Sequence, residues 1–286
     1  MRFPAFLSGV LAVALLACVR VAVADAPAGA SGWGNGSHSG IRLLSGGGAR
    51  GQVQLAGIEM RLNPGYKTYW RTPGDSGVPP VFDWSRSQNL GSVTVLWPMP
   101  ERFSDGAGSS IGYRGEVVFP VHVMAADPKK PVILALKLDY AVCDKICIPA
   151  RGEAELRLDP PVTAQTQRLA AFEARVPLNA SLGEAADRLA VAGIKTALVE
   201  KEQVLRFNVA VPAGGFVTDA FVEGPDLWMF GAARMSLAGP QMMAIEIPIT
   251  DSPKNHQGAT PLIVTVAGSP RAVEIRIDLD IPAITP

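Results

Sequence analysis

Cys143 and Cys147, in the stretch Tyr140-Ala-Val-Cys-Asp-Lys-Ile-Cys-Ile-Pro149, are the only cysteines beyond the first twenty residues of this 286-residue chain. In an oxidising compartment such neighbours join into a disulfide, which either braces the fold or is made and broken as chemistry. As a brace it would be weak. Closing a loop of about five residues removes only about 2 kcal/mol of unfolded-state entropy, against about 4.7 kcal/mol for a hundred-residue loop. A chain this long can bury a core of its own and needs no such staple. Spacing alone leaves a redox pair and a structural bridge both open. Asp144 favours a turn and, as a negative charge beside a thiolate, raises its pKa; Lys145 opposes it. Pro149 either ends a strand or tunes the pair.

The compartment is read from the N-terminus. Met1-Arg2 is a short positive region, Phe6 to Cys18 is an apolar run too short to span a bilayer comfortably, and Ala22-Val23-Ala24 offers a small-x-small cleavage site. The expectation is a signal peptide over 1–24, a mature start at Asp25 and a periplasmic location. Leu15-Leu16-Ala17-Cys18 resembles a lipoprotein box with an atypical second residue, so lipidation of Cys18 is the alternative. With 26 basic and 26 acidic residues and no run of either sign, the sequence has no electrostatic footprint for nucleic acid.

The elements that must position the cysteines are strands. Residues 132–142 place an apolar side chain at every even position, with Lys137 and Asp139 opposite. Val117/Phe119/Val121/Val123, Leu205/Phe207/Val209/Val211, Met243/Ile245/Ile247/Ile249 and Val273/Ile275/Ile277/Leu279 alternate likewise. These are half-buried antiparallel strands. A switch of apolar parity across Ala56-Gly57 predicts a bulge there. Only 164–176 and 182–190 read as helical, after the break at Pro160-Pro161. The prediction is an all-β chain: a flexible lead-in at 25–40, an immunoglobulin-like β-sandwich at 41–160, a short helical connector at 161–191, and a second β-sandwich-like domain at 192–286.

Parity then reaches the cysteines. Cys143 falls on the Lys137/Asp139 side, and Cys147 falls with Arg151, Glu153 and Glu155 on the returning limb. Both sulfurs are therefore expected on the less buried side of a tight hairpin, with Cα atoms about 4.5–5.5 Å apart.

Four runs occur in a particular order: Asn63-Pro-Gly-Tyr-Lys-Thr-Tyr-Trp-Arg71, Trp97-Pro-Met-Pro-Glu-Arg-Phe103, Ile111-Gly-Tyr-Arg-Gly-Glu-Val-Val-Phe-Pro-Val121, and Leu138 through Pro149. Together they resemble the N-terminal periplasmic domain of the DsbD/ScsB thiol:disulfide interchange proteins, the ScsB branch more closely. The likeness covers 41–160 well and is vague from 192 onward, where ScsB-like chains also carry a second immunoglobulin-like module. It implies an immunoglobulin-like sandwich whose cysteines, here Cys143 and Cys147, relay reducing equivalents. The partners implied are a thioredoxin-fold periplasmic oxidoreductase and a separately encoded membrane electron carrier of the DsbD/CcdA type, since no membrane or thioredoxin-like domain is read in this sequence. The likeness makes Tyr66 and Tyr69 candidates for a cap over the sulfurs, and Cys147 the carrier of the mixed disulfide. It also implies a link to cytochrome c biogenesis or copper tolerance. The DsbD branch spaces its cysteines further apart, a departure that bears on loop geometry and partner choice.

Other patterns lack context. Gly46-Gly-Gly-Ala-Arg-Gly51 is followed by a strand and not a helix, and Gly74-Asp-Ser-Gly77 has only His38 upstream, so neither a dinucleotide site nor a triad is expected. His38, His122 and His256 are scattered, so no cofactor and no zinc site is expected. Two thiolates with Met124 or His122 would suit Cu(I), which leaves a copper-binding protein as one alternative. A non-catalytic pair of sandwiches acting as a binding or assembly module, with a structural disulfide, is the other.

Overall fold

The computed structural model describes residues 26–282 except 51, 106–107, 159–162, 185–186, 255 and 257. The first half holds β1 (Gly34–Gly36), β2 (Ser39–Arg50), β3 (Val53–Leu62), β4 (Lys67–Gly74), β5 (Val81–Asp83), β6 (Leu90–Val95), β7 (Glu101–Asp105), β8 (Gly108–Arg114), β9 (Glu116–Ala125), β10 (Ile133–Cys143) and β11 (Cys147–Arg157). One sheet runs β1-β2-β3-β9-β6; the other runs β11-β10-β4-β8-β7, with β5 added to β10. The alternating apolar residues face each other between the sheets. Ile41, Leu43, Ile58, Met60, Trp70, Leu136 and Leu138 are buried there. Phe119 is met edge-on by Trp97 at 5.2 Å and Tyr113 at 5.3 Å, geometries that favour the ring quadrupoles.

The second half adds β12 (Leu178–Asn179), β13 (Ala190–Val199), β14 (Glu202–Ala210), β15 (Phe216–Glu223), β16 (Met229–Phe230), β17 (Arg234–Gly239), β18 (Met242–Asp251), β19 (Ala259–Ser269) and β20 (Val273–Asp280). They form sheets β12-β20-β19-β15 and β13-β14-β18-β16, with β17 also on β18. Leu205, Phe207, Ile245, Ile247, Val264 and Ile275 fill a second core. The chain is all-β in two sandwiches, with α1 (Thr166–Glu173) between them.

α1 lies on the outer face of the first sheet, not in free space. Leu169 is fully buried over Gly57, where a Cβ would stand 2.3 Å from its Cδ2. Arg168 reaches Glu59 at 2.8 Å and Glu116 at 2.6 Å, while Arg42 and Arg61 also pair with the buried Glu59 at 2.6 and 2.9 Å.

Three expectations are corrected. The described residues of 182–190 form no helix: the Gly183 amide bonds the Val191 carbonyl at 2.8 Å and Asp187 sits at φ 52°, outside the right-handed helical region. The bulge falls on β2, between Ser45 and Ala49, whereas β3 stays in unbroken register with β9 from Val53 to Arg61. Part of the lead-in is a strand: β1 pairs with β2, and Trp33 is stacked by Arg42 and Arg61 at 4.4 and 4.8 Å.

The two sandwiches meet at β4. Trp70 contacts Phe221 at 5.6 Å, and Phe221 belongs to the first core. Arg71 holds Glu223 and Glu274 at 2.5 Å each, Thr72 bonds Glu223 at 2.7 Å, and Arg102 pairs with Asp219 at 2.9 Å. Burial works against the Arg71 charge, but the two carboxylates outweigh it and the guanidinium is held more firmly protonated than usual.

Candidate redox site

β10 and β11 form one hairpin with unbroken register from Ile133↔Arg157 to Cys143↔Cys147. Cys143 and Cys147 are disulfide-bonded, with Cα atoms 4.2 Å apart and Asp144-Lys145-Ile146 as the loop. Both cysteines lie on the face opposite the core, as the parity of Lys137 and Asp139 requires. Their exposure differs, which corrects the expectation that both are accessible. Cys147 is exposed, whereas Cys143 is only 3% exposed and forms a small cluster with Ala141 and Tyr69.

The cause is the neighbouring strand. β4 pairs with β10 through Thr68↔Val142 and Lys67↔Cys143, and Thr68 Oγ1 donates to the Ala141 carbonyl at 2.9 Å. Since Trp70 points into the core, Tyr69 must point outward, over the hairpin end. Its hydroxyl donates to Cys143 Sγ at 2.9 Å and stands 3.0 Å from Cys147 Sγ. The ring is 1% exposed.

The other sequence candidates are placed differently. Tyr66 precedes the strand, stacks on His38 at 4.3 Å and packs against the main core. Asp144 and Lys145 are exposed, and Ile146 between Lys145 and Cys147 is 76% exposed. Pro149 lies inside β11 opposite Ala141 and ends no strand; β11 is the outermost strand of its sheet, where a missing N–H costs least. Lys67, which sequence reasoning passed over, is buried, donates to Ser110 Oγ at 2.8 Å and lies 5.5 Å from the Phe103 ring centre. Its odd position, shared with Tyr69, was the available sign.

The Cu(I) set does not assemble. His122 and Met124 are on β9, in the opposite sheet from the cysteines, and His122 Nε2 instead meets Glu173 at 3.2 Å. Among the described residues no group of three His, Cys, Asp or Glu could hold a metal ion. The set of Gly74-Asp-Ser-Gly77 with His38 is engaged otherwise: Asp75 accepts from the Ser109 amide at 2.8 Å and His38 stacks on Tyr66.

Residues 43–159 match the family described as thiol:disulfide interchange protein DsbD, N-terminal. The chain carries a DsbD N-terminal domain. That domain contains both cysteines and Tyr69, and spans β3 to β11 with most of β2. Beyond it, the whole fold is similar to the crystal structure of the N-terminal periplasmic domain of ScsB from Proteus mirabilis, with a TM-score of 0.68 and 21% identity over 89% of this chain and 99% of that one. The likeness extends the shared architecture to the second sandwich. The C-terminal domain of the Streptococcus agalactiae AgI/II polypeptide BspA aligns at 5% identity over 83% of this chain and 96% of that one, but its TM-score of 0.15 carries no argument. No curated protein matches the sequence. No helix among the described residues is long and apolar enough to cross a membrane.

Proposed function

We propose that this protein is a periplasmic thiol:disulfide interchange protein whose Cys143–Cys147 pair relays reducing equivalents to or from a thioredoxin-fold oxidoreductase, with a separately encoded membrane carrier of the DsbD/CcdA type at the other end of the relay. The observation that carries this reading is the asymmetry of the disulfide in a DsbD N-terminal domain: one exposed sulfur, one shielded, and a tyrosine hydroxyl against both.

In the reducing direction a partner thiolate attacks Cys147 Sγ, the sulfur that solvent reaches. The S–S bond breaks, Cys143 leaves with the electron pair and takes up a proton, and a mixed disulfide joins partner to Cys147. A second partner thiol then attacks the partner's own sulfur and releases Cys147. Two electrons and two protons have passed, and the partner is left oxidised. Tyr69 caps the pair and, as a donor 2.9 Å from Cys143 Sγ, stabilises that sulfur as it leaves. Exposed Asp144 and Lys145, of opposite charge, act on the approaching partner more than on the buried sulfur; Pro149 stiffens the return strand. The periplasmic location is supported by the kinship with a periplasmic ScsB domain and by the signal-like residues 1–24, which lie outside the described residues.

The test is capture of a partner. Cys143→Ala leaves Cys147 free to trap a thioredoxin-fold protein as a band on a non-reducing gel that thiol reductant removes. Cys147→Ala should trap little. If neither variant captures a partner in periplasmic extracts, and the pair's reduction potential lies below about −300 mV, the disulfide is structural.

A further inference from the structure

After Gly74 the chain leaves β4, and Asp75-Ser-Gly-Val-Pro-Pro80 returns across the outer face to β5, which pairs with β10 through Val81, Phe82 and Asp83. On the way Gly77 lies against the Tyr69 ring. A Cβ built on Gly77 would stand 2.4, 2.5 and 2.9 Å from Cε1, Cδ1 and Cζ of Tyr69. Carbon atoms in favourable contact stand about 3.5–4.0 Å apart, so no side chain fits between this backbone and the ring. Gly77 also has φ +135°, a conformation L side chains rarely adopt. The strap is tied at both ends: Asp75 exchanges two hydrogen bonds with the Ser109 backbone, at 2.9 and 2.8 Å, and β5 is hydrogen-bonded to β10. The Tyr69 side chain thus has a bare peptide against its ring and two sulfurs at its hydroxyl.

We propose that Gly77 is a positioning residue of the redox pair: its missing side chain sets how closely Tyr69 lies over Cys143–Cys147, and thereby how readily that bond is reduced. The proposal rests on the reading that Tyr69 shields the disulfide. Residues 75–79 are exposed while Tyr69 is buried, so with alanine at 77 the strap gives way before the ring does. The ring then gains freedom, and its hydroxyl no longer stays fixed on the sulfurs.

The experiment follows reduction of the oxidised full chain by dithiothreitol, read as alkylated thiol by mass shift, with thermal melts as a folding control. One dithiothreitol thiolate attacks a sulfur of the pair and breaks the bond; its second thiol closes into the cyclic disulfide, leaving both cysteines as thiols. Tyr69→Ala is expected to be reduced faster than the native chain. Gly77→Ala should accelerate reduction by about two- to tenfold, the rate equivalent of losing one hydrogen bond from the hydroxyl to the sulfurs. In the Tyr69→Ala background, Gly77→Ala should have no further effect on the rate, since there is no ring left to release.

If Tyr69→Ala is reduced at the native rate, the shielding reading falls, and this inference with it. If Tyr69→Ala is faster but Gly77→Ala is not, only the inference on Gly77 is overturned. Acceleration that persists in the double variant assigns Gly77 to the turn alone and also overturns it. Should Gly77→Ala fail to fold, the double variant must fold and react at the Tyr69→Ala rate; a double variant that stays unfolded counts against the proposal. Dithiothreitol needs no protein partner, so failure to trap one in extracts leaves this result independent.

Discussion

The Tyr69 hydroxyl has one proton to donate and two sulfurs within 3.0 Å to receive it. Once the bond opens, that proton favours whichever sulfur carries the charge. A hydrogen bond to a charged group contributes about 1.5–3 kcal/mol, and one pKa unit corresponds to about 1.4 kcal/mol. Tyr69→Phe keeps the ring and removes the donor. In the reduced protein it should therefore raise the pKa of the more acidic thiol by about one to two units, seen as an upward shift in the pH profile of iodoacetamide alkylation. An unmoved profile would assign the thiolate's stabilisation to other groups. The cysteines themselves stand out in the sequence by number and spacing. Tyr66 and Tyr69 do not separate there, because both sit in one run, and only the start of β4 at Lys67 decides that one flanks the strand and the other faces the sulfurs. The contact of Gly77 with Tyr69 is beyond any local pattern, since it depends on where a strap eight residues on comes to rest.

At the scale of elements, β10 and β11 are held by an unbroken ladder that does not depend on the bond at its tip. Reducing the pair should lower stability by about 2 kcal/mol or less, as the short loop dictates, and leave both sandwiches folded; urea unfolding followed by circular dichroism, with and without reductant, measures this. Loss of β structure on mild reduction would mean that the bond is a brace after all. The ladder was legible because half-buried strands write their period into the sequence, as Leu134, Leu136 and Leu138 do. The bulge and the 182–190 segment were not. The parity change near Ala56 arises because Leu169 of α1 covers the outer face at Gly57, so residues of both parities are buried there. In 182–190, Gly183 and Asp187 take positive φ, and Leu189 is buried in the second core rather than on a helix face.

For the molecule as a whole, one strand serves two ends: β4 carries Tyr69 over the sulfurs and, two residues later, Arg71 into the acidic face of the second sandwich. Arg71→Ala leaves Glu223 and Glu274, both largely buried, without that cation. The loss should be toward the lower end of about 3–5 kcal/mol, and a single cooperative urea transition should separate into two. A transition that remains single and unshifted would mean that the other contacts, Trp70–Phe221 and Arg102–Asp219 among them, suffice to join the halves. Nothing in the periodicity announces this junction, because Arg71 and Glu223 lie 152 residues apart and read separately as ordinary surface charges. The seat of α1 bears on how the chain can be cut. Leu169 and Phe172 follow the end of the matched domain at residue 159, yet both are buried in its core. A fragment trimmed to the family boundary would leave an apolar cleft over Gly57 and strip Glu59 of one of its arginines. A redox fragment should therefore keep α1 and run at least through Arg175, whose carbonyl accepts the Met99 amide at 2.9 Å; a helix that looks like a linker between two modules is packed on the first.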